Sequence, residues 1–522
     1  MTNVPYLKNI SGGRKSAMMN YIIVQAGGKG TRLKHLTKNK PKALVPVANL
    51  PMLFHLFRKY PDKRFVIITD YKKEVMHEYL EAFADVKYQI VDADGTGTCA
   101  GVKQAIELIP EKEPFMLIWS DLILPEELEL PEGYNSSVTK LKPMDDYIGI
   151  SQTFPCRWSY KDGTFVEDSS YKHGVAGFFL FSEKKKIETV PKSGELVRWM
   201  QQNHMQYKEI GLAGTKEFGL LSEYNKLEQE KCRPFNKITI KPDRVIKEGI
   251  DTQGRKLARR ECAWYSKAKE LGIPSLPKIY GTSPLEMERI NGKNIYECHL
   301  PYPEKREILI KLTESLQMLH NAEKVPADTF SMKEAYFTKT FARIRSIRDM
   351  VPFANERYIT VNGRKCKNIF LNKRNLEKRL RQLDCEHFSL IHGDCTFSNL
   401  MLREDGSPVL IDPRGYFGYT ELYGDPRYDW AKLYYSIAGN YDGFNLKKFE
   451  LQIRDKDVRL DIKSNQWEDM EKDFFEMTGS DPEEIKLLHA VIWLSLTTYA
   501  WQDYDSICGA FYNGLYYLEE VL

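Results

Sequence analysis

The chain has 522 residues, enough for more than one domain, and 42% of them are hydrophobic, which is ample for packed cores. Its 76 lysines and arginines against 72 aspartates and glutamates give a net charge of only +4, which argues against nucleic acid as a partner. Nine cysteines occur without a C-x-x-C pair, and no apolar run is long enough to cross a bilayer. We therefore expect a cytoplasmic protein with small-molecule partners and no membrane partner.

The chain is predicted to consist of an N-terminal extension and two domains joined by a linker. Residues 1–19 carry basic residues and glycines but no apolar segment of signal-peptide length, so we expect no export signal and interpret them as an extension that is either disordered or a product of start-site choice. A charged stretch that ends in Arg-Pro precedes a change of pattern near residue 236. We therefore expect domains over residues 20–230 and 236–522, with a linker over residues 231–235.

A glycine-rich turn follows the first predicted strand. Residues 21–24 (YIIV) form a β-branched run typical of a buried strand, and residues 25–33 (QAGGKGTRL) come directly after it. Glycines let backbone N–H groups approach an anion, and Arg32 and Lys42 add positive charge where a triphosphate gains negative charge during reaction. Taken alone, the glycines are equally compatible with a tight βα turn that has no function.

The next elements complete an α/β pattern. Helical spacing over residues 52–60 and an apolar strand over residues 65–70 form a βαβ unit, with the glycine turn at the carboxyl end of its first strand. A second glycine-rich turn at residues 94–102 leads into a helix, although by itself it also fits a flexible loop. The apolar strand at residues 115–120 ends in Asp121, whose carboxylate either caps a helix or holds a hard cation.

The motif G-G-x-G-T-R-L at residues 27–33, followed by P-K-A-L at residues 41–44, resembles the signature of nucleotidyltransferases that make sugar nucleotides and CDP-choline. The resemblance implies an α/β domain with a Rossmann-like mixed sheet that binds Mg²⁺ and one of CTP, UTP, GTP or dTTP. It implies that Arg32 and Lys42 are catalytic and that Asp121 binds the metal. The nucleotide-binding residues that it implies are Gln25, Ala26, Gly27, Gly28, Gly30, Thr31, Gly95, Thr96 and Gly101.

Two further segments of this domain bear on its acceptor. The turn at Gly95 resembles the G-T-x-x-A-like turn of the sugar-nucleotide branch, whereas the phosphocholine branch tends to place polar side chains there. This favours a sugar phosphate as acceptor. The glycine-led strand at residues 174–181 resembles the floor of the family's acceptor pocket, which implies that Gly177 contacts the substrate.

One position departs from the nucleotidyltransferase pattern. Residues 217–224 resemble the segment that contributes a second metal-binding aspartate, but Gly219 stands where that aspartate is expected. Either Glu217 or Glu223 substitutes for it, or Asp121 holds the metal with substrate phosphates and water, or the domain is impaired.

The second predicted domain opens with a β-hairpin. Strands over residues 236–240 and 244–247 are joined by Lys-Pro-Asp, Lys247 closes the second strand, and Glu261 lies in the amphipathic helix that follows. A strand lysine paired with a helix glutamate is the arrangement with which kinases hold the phosphates of ATP, although such pairs are usually surface charges.

The motif H-G-D-x-x-x-x-N at residues 392–399, followed by Ile-Asp at residues 411–412, resembles the aminoglycoside phosphotransferase and choline kinase superfamily. The resemblance implies an α+β, two-lobed fold like that of protein kinases. Its N-lobe would cover about residues 236–292 and its C-lobe about residues 293–522. The implied reaction is phosphoryl transfer from ATP with Mg²⁺, which needs a carboxylate near the acceptor hydroxyl and oxygen ligands for the metal.

The same resemblance assigns roles to individual residues. Asp394 would be the catalytic base, with Asn399 and Asp412 as the magnesium ligands. His392 and the segment around Asp429 would support the catalytic loop. Lys247, Glu261 and Glu288, the last in an inter-lobe hinge, would bind the nucleotide.

Other features of this domain bear on its acceptor. Arg414 stands where choline kinases often carry an aromatic and an acidic residue, so it either binds an acceptor with hydroxyls or an anionic group, or it ties down the loop. The basic stretch at residues 339–381 is predicted to be a solvated helical insertion. The helical spacing of some C-terminal aromatic residues favours a core position over a cation cage for choline. These residues are Trp493, Tyr499, Trp501 and Tyr504.

The two resemblances together predict a bifunctional enzyme. The second domain would phosphorylate a small hydroxylated metabolite, with a sugar favoured, and the first would transfer a nucleotide onto the new phosphate to give an activated precursor for cell-surface glycans. One alternative is a choline kinase fused to a CTP:phosphocholine cytidylyltransferase. Another is an active kinase beside a degenerate nucleotide-binding module.

Overall fold

The chain divides into two compact units, Met1–Glu228 and Gln229–Leu522. The predicted extension, except for its last residue, and the predicted linker lie outside the described residues. No helix in the described part of the chain has the length and apolar character needed to span a membrane. The computed structural model describes residues 19–134, 144–227, 236–250 and 252–522.

The first unit is built on strands that alternate with short helices. Its strands are β1 Tyr21–Gln25, β2 Pro46–Val47, β3 Leu50–Pro51, β4 Arg64–Thr69, β5 Lys87–Asp92, β6 Phe115–Trp119, β7 Leu122–Ile123, β8 Tyr147–Ser151, β9 Ser159–Lys161, β10 Thr164–Val166, β11 Gly174–Phe181, β12 Lys208–Leu212 and β13 Lys216–Glu217. Its α-helices are α1 Met52–Lys59, α2 Lys73–Phe83, α3 Val102–Glu107, α4 Leu196–Gln202 and α5 Leu221–Tyr224. Its 3-10 helices are Thr31–Thr37, Lys42–Leu44 and Lys184–Ile187.

A nine-stranded mixed sheet forms the core of this unit. Strands β6, β1, β4 and β5 lie side by side and run parallel, whereas β11 pairs antiparallel with both β6 and β8. The central strands are apolar on both faces, as expected for parallel strands covered by helices. The carboxyl ends of β1 and β6 therefore meet at one edge of the sheet, and the predicted Rossmann-like α/β class is confirmed.

The second unit has more helix. Its strands are β14 Asn236–Ile240, β15 Arg244–Gly249, β16 Ile279–Thr282, β17 Leu285–Glu288, β18 Gly292–Asn294, β19 Lys324–Pro326, β20 Tyr358–Val361, β21 Arg364–Lys367, β22 His387–Leu390, β23 Leu400–Arg403, β24 Pro408–Leu410, β25 Tyr416–Phe417, β26 Thr420–Glu421, β27 Tyr423–Gly424, β28 Phe449–Arg454 and β29 Asp457–Ile462. Its α-helices are α6 Thr252–Glu270, α7 Tyr302–Ala322, α8 Thr329–Lys333, α9 Lys339–Ser346, α10 Ile369–Arg381, α11 Pro426–Ile437, α12 Tyr441–Asn445, α13 Glu471–Thr478, α14 Pro482–Leu496 and α15 Tyr504–Leu518. Its other helical turns are Ile295–Glu297, Glu334–Thr338, which is π-helical, Phe397–Asn399, Glu468–Met470 and Thr497–Ala500.

The unit begins with a small sheet and one long helix, as a kinase-like N-lobe does. The sheet has the order β14-β15-β17-β16 and is antiparallel throughout, and α6 packs against β15. The remainder is mostly helical, and α14 is buried over nearly its whole circumference from Ile485 to Leu494. The α+β class predicted for this half is confirmed.

The basic stretch over residues 339–381 differs from the prediction of a helical insertion. It contains α9 and α10, but between them β20 and β21 form a hairpin. This hairpin joins the hairpin of β28 and β29 in a four-stranded sheet, through a parallel pairing of Thr360 with Asp457. The prediction was wrong because the partner strand lies nearly a hundred residues away, where no local pattern reveals it.

Candidate active sites

In the first unit, the register of β1 and β6 brings together the predicted phosphate loop and the predicted metal ligand. Gln25 and Trp119 are paired at the ends of these parallel strands, and the Ser120 amide donates to the Gln25 carbonyl at 3.3 Å. The glycine loop follows Gln25 directly and Asp121 follows Ser120. Both features thus lie at the edge where open α/β sheets bind ligands.

The glycine loop is held in place by close backbone contacts. A Cβ on Gly27 would lie 2.8 Å from the Cβ of Asp70, and Gly30 has a φ of +60° with Lys42 beside it. The Lys42 amide donates to the Gly28 carbonyl at 3.3 Å. A Cβ on Gly28 would meet no atom within 4 Å, so this glycine borders open space. The loop therefore needs glycine on its packed side and leaves room on its outer side.

The basic residues of both motifs converge on two carboxylates. The Lys42 ammonium donates to Asp121 and lies 3.7 Å from the Glu217 carboxylate, and Arg32 lies 3.8 Å from that same carboxylate. The Lys42 side chain is only 11% exposed, whereas that of Arg32 is 64% exposed. Burial raises the pKa of Glu217, the negative charge of Asp121 raises it further, and Lys42 and Arg32 oppose the rise.

Glu217 occupies the space left by the missing aspartate side chain. A Cβ on Gly219 would lie 2.0 Å from Glu217 Oε1, so glycine at this position lets the glutamate carboxylate approach Asp121. Glu223 instead pairs with Lys226 at 2.8 Å and is about half exposed. Of the alternatives left open by the sequence, the structure places Glu217 beside Asp121. Two hard carboxylates at one strand edge fit a Mg²⁺ ion.

The other predicted residues of the first unit line the same region of the fold. The turn with Gly95 and Thr96 packs on residues 192–196, where a Cβ on Gly95 would lie 1.9 Å from a backbone oxygen. Gly101 has a φ of +74° and precedes α3. Gly177 has a φ of +80°, and the ring of Trp119 lies against it. The roles of these residues stay predictions.

In the second unit, a buried lysine joins the small sheet to the segment after β24. Lys247 Nζ lies 2.6 Å from Glu261 Oε2 and 2.5 Å from Asp412 Oδ1. Burial lowers the pKa of Lys247, but the charges of Asp412 and Glu261 outweigh burial and raise it overall. The predicted strand-helix ion pair is therefore present, and it contacts one of the two predicted metal ligands.

The predicted catalytic base lies at the floor of a pocket between two cations. Asp394 Oδ1 is 2.9 Å from Lys432 Nζ, and its Oδ2 is 3.9 Å from Arg414 Nη2. The Asn399 side-chain amide donates to the Asp394 carbonyl at 2.9 Å, so Oδ1 is the side-chain atom of Asn399 that could bind a metal. Asn399 and Asp412, which carry oxygen donors, therefore fit Mg²⁺.

The catalytic loop is supported from below by Asp429, which is fully buried. Its two carboxylate oxygens accept the backbone N–H groups of His392 at 2.8 Å and Gly393 at 2.7 Å, and His320 contacts it at 3.0 Å. His392 Nε2 lies 2.9 Å from the Ile411 carbonyl and so carries the proton. Burial lowers the pKa of His392, which keeps the ring neutral.

Asp429→Asn is expected to destabilise the second unit by about 3 kcal/mol, because an amide accepts through one oxygen and cannot satisfy both loop amides. Thermal unfolding measures the loss. Asp349→Asn is the matched control, since Asp349 is exposed, and it should leave the melting temperature unchanged. Equal melting temperatures for the two variants would contradict the role given to Asp429.

The hinge residue Glu288 is engaged within the fold. Its carboxylate accepts hydrogen bonds from both terminal nitrogens of Arg403, one of them at 3.0 Å. It also accepts one from the backbone N–H of Lys278 at 3.0 Å. The Glu288 side chain therefore braces the hinge, and its predicted contact with the nucleotide stays a prediction.

The pocket above Asp394 contains candidate functional residues that the sequence did not reveal. Lys339 and Arg343 line it, although they were predicted to face solvent, and so does Lys432 of α11. The four-residue spacing of Lys339 and Arg343 was the available signal for a shared helix face, but nothing in the local pattern showed that this face is covered. The pocket has a volume of about 750 Å³ including its mouth.

The aromatic residues of the last helices divide into two groups. Trp493 and Tyr504 are fully buried, as their helical spacing predicted. Tyr499 is 39% exposed and lines the pocket above Asp394. Other tyrosines complete the pocket wall, namely Tyr336, Tyr416, Tyr428, Tyr435 and Tyr441.

Two family models match the chain. The model described as Nucleotidyl transferase matches residues 21–147, and the model described as Phosphotransferase enzyme family matches residues 251–450. The chain therefore carries a nucleotidyltransferase domain followed by a phosphotransferase domain, and it is an enzyme of the transferase class. Both predicted resemblances are confirmed.

Curated relatives match the first domain only in part. The bifunctional protein GlmU of Methanocaldococcus jannaschii is 32% identical over 130 residues, which cover 24% of this chain and 31% of that protein. The D-glycero-alpha-D-manno-heptose 1-phosphate guanylyltransferase of Campylobacter jejuni is 27% identical over 130 residues, which cover 24% of this chain and 58% of that protein. The chain thus spans less than two thirds of either relative.

Solved structures resemble each half separately. The CTP:phosphocholine cytidylyltransferase LicC of Streptococcus pneumoniae has 20% identity and a TM-score of 0.31, and the match covers 40% of this chain and 98% of that one. The choline kinase LicA of the same organism has 16% identity and a TM-score of 0.34, and the match covers 55% of this chain and 91% of that one. Likenesses of this degree do not identify a substrate.

Proposed function

We propose that the chain catalyses two successive transfers. The second unit phosphorylates a hydroxyl group of a small metabolite, with a sugar favoured, at the expense of ATP. The first unit then joins that phosphate to a nucleoside monophosphate taken from CTP, UTP, GTP or dTTP and releases pyrophosphate. The product is a nucleotide-activated precursor of the kind used for cell-surface glycans. The supporting observation is that each unit holds a largely buried lysine paired with the carboxylate predicted to bind a metal, Lys42 with Asp121 and Lys247 with Asp412.

In the kinase reaction, Lys247 binds ATP phosphates while Glu261 holds its ammonium in position. Asp394 accepts the proton of the acceptor hydroxyl, and its hydrogen bond to Lys432 fixes the direction of the carboxylate. Asn399 and Asp412 would hold Mg²⁺, which neutralises phosphate charge when bound. The acceptor oxygen forms a bond to the γ-phosphorus and the bond from that phosphorus to the ADP oxygen breaks.

In the nucleotidyl transfer, the glycine loop presents backbone N–H groups to the triphosphate, and Arg32 and Lys42 stabilise the negative charge that develops on the leaving pyrophosphate. Asp121 and Glu217 would hold Mg²⁺, which would neutralise negative charge on the phosphates when bound. The phosphate of the acceptor attacks the α-phosphorus, and the bond between the α- and β-phosphates breaks. Each bond formed replaces one broken, so no further reactant is needed.

Separate readouts of the two reactions test this function. ADP release is measured with ATP, Mg²⁺ and a panel of sugars, sugar acids, polyols and choline. Pyrophosphate release is then measured with each NTP and the phosphorylated product. Both activities in one chain support the proposal. ADP release without pyrophosphate release from any NTP would instead identify a kinase beside a degenerate first domain, and preference for choline would favour CDP-choline as the product.

Glu217→Gln is expected to lower kcat for pyrophosphate release about 10-fold to 100-fold, because the variant keeps its shape but loses a metal-binding charge beside Asp121. Glu223→Gln is the matched control and should retain activity, since Glu223 is paired with Lys226 away from this cluster. The Mg²⁺ concentration for half-maximal rate should rise in the first variant only. Equal losses in both variants would contradict the assignment of Glu217.

A further inference from the structure

The pocket above Asp394 carries an unusual concentration of positive charge. Its basic side chains come from separate elements, with Lys339 and Arg343 on α9, Arg414 after β24, and Lys432 on α11. Asp394 is the one carboxylate among the described residues that line the pocket. Burying like charges together is unfavourable unless an anion compensates them. The pocket is therefore suited to an anionic occupant.

Two of these cations, Arg343 and Lys339, form no ion pair with Asp394. Lys432 and Arg414 lie beside Asp394, at 2.9 and 3.9 Å. Arg343 instead donates to the backbone carbonyl and hydroxyl of Ser495, at 2.6 and 2.8 Å, and its guanidinium lies 4.9 Å from the ring centroid of Tyr499. These contacts are neutral, so they orient the guanidinium without cancelling its charge.

The Lys339 amine also lies among other positive charges. It lies 5.8 Å from the ring centroid of Tyr416. Burial lowers the pKa of Lys339 to about 7, the positive charges of Arg414, Arg343 and Lys432 add to this effect, and Glu334 opposes it. An anion bound beside the amine would favour its charged form.

Lys339 and Arg343 do not line the cavity that we assign to the phosphates of ATP. A smaller adjoining cavity, which also borders Asp394, is lined by Lys247, Glu261 and Asp412, the residues assigned to ATP and metal. Arg414 borders both cavities, whereas Lys339 and Arg343 border only the larger one. We therefore assign the larger pocket to the acceptor, and the positive charges of Lys339 and Arg343 would act on that acceptor.

We propose that the acceptor is a small hydroxylated acid whose own anionic group, a carboxylate or a phosphate, binds Arg343 and Lys339; this inference rests on the proposed kinase function. A guanidinium oriented by Ser495 offers the paired N–H donors that carboxylates and phosphates accept. Choline is disfavoured, because its fixed positive charge would face several cations with Asp394 as the sole lining carboxylate of the described pocket.

Steady-state kinetics with matched acceptors test the proposal. ADP release is measured for glucose, gluconate and glucose 6-phosphate, for glycerol, glycerate and glycerol 3-phosphate, and for choline. We expect kcat/KM for the preferred acid to exceed that of its neutral counterpart by about 10-fold or more. The carboxylate and phosphate members distinguish the two kinds of anion. A neutral compound preferred over its acids would overturn this inference and leave the kinase function standing.

Variants of α9 identify the cations responsible. In Arg343→Gln and Lys339→Met, KM for the acid should rise about 10-fold to 100-fold while KM for ATP stays unchanged. The controls Arg345→Gln and Lys333→Met remove exposed charges of the same segment and should match the wild type. KM for the acid should also rise from about pH 6 to about pH 8 as Lys339 loses its proton, and Lys339→Met should remove part of that rise. A raised KM for ATP, or unchanged KM values, would overturn the proposal.

Binding of the same compounds gives a readout that does not need turnover. The melting temperature of the full chain should rise with millimolar gluconate or glycerol 3-phosphate at acidic pH, and this shift should disappear in Arg343→Gln. A shift of equal size with glucose or glycerol, or none with any acid, would overturn the anionic acceptor. If acids bind but no acceptor in the panel yields ADP, the anion site stands and the proposed kinase function fails.

Discussion

Asp394→Asn is expected to lower the rate of ADP formation by about 10³-fold and to leave pyrophosphate release from the phosphorylated acceptor unchanged. The asparagine keeps the size of the side chain but cannot take the proton of the acceptor hydroxyl. It also removes the negative charge beside Lys432 and Arg414. The nucleotidyl transfer is spared because its residues belong to the other compact unit.

The measurement for Asp394→Asn is a paired assay of ADP and pyrophosphate on one preparation. Because loss of a buried carboxylate leaves its cations unpaired, the variant should melt at a lower temperature, and assays belong well below that temperature. The double variant with Lys432→Met removes one unpaired cation and should recover part of the stability but none of the kinase activity. Kinase activity within a few-fold of wild type would contradict the role of Asp394.

Arg32→Ala is expected to lower kcat/KM for pyrophosphate release about 10²-fold to 10³-fold and to leave ADP formation unchanged. The side chain is 64% exposed and its nearest carboxylate is 3.8 Å away, so the substitution removes charge from the triphosphate site at little cost in stability. Lys42→Met should have an effect at least as large. It also removes the buried ammonium that pairs with Asp121, so it should lower the melting temperature as well.

A matched control for Arg32→Ala lies at the C-terminal end of the same 3-10 helix. Lys38→Ala removes an exposed cation six residues away and should change neither reaction. The comparison separates a local charge at the phosphate from the general positive potential of the loop. If Lys38→Ala and Arg32→Ala reduced pyrophosphate release equally, the specific role of Arg32 would be wrong.

The features that the sequence predicts well are those with local signals. β-branched residues predict the strand at Tyr21–Gln25, and glycines predict the turn after it. Packing requires glycine at Gly27 and Gly30. The loop around Asp394 has a motif whose spacing alone gives the predicted positions of the base and the metal ligands. In each case the chemistry is carried by residues close together in the chain, so no long-range contact needs to be known.

The features that the sequence does not predict depend on packing between distant segments. Glu217 and Glu223 are equivalent candidates in the sequence. The structure distinguishes them, because the carboxylate of Glu217 fills the space that a side chain at Gly219 would occupy. Lys339 and Arg343 look like solvated helix charges until other segments cover that face. The pairing of Thr360 with Asp457 likewise joins two hairpins that are each local.

The most direct test of two successive transfers in one chain is product formation by variants that each lack one activity. Wild type, Asp394→Asn, Lys42→Met and an equimolar mixture of the two variants are incubated with ATP, the NTP and the unphosphorylated acceptor, and the nucleotide-linked product is measured by mass spectrometry. We predict product from wild type and from the mixture, and essentially none from either variant alone. Product from Asp394→Asn alone, or phosphorylated acceptor that no NTP converts further, would contradict the account.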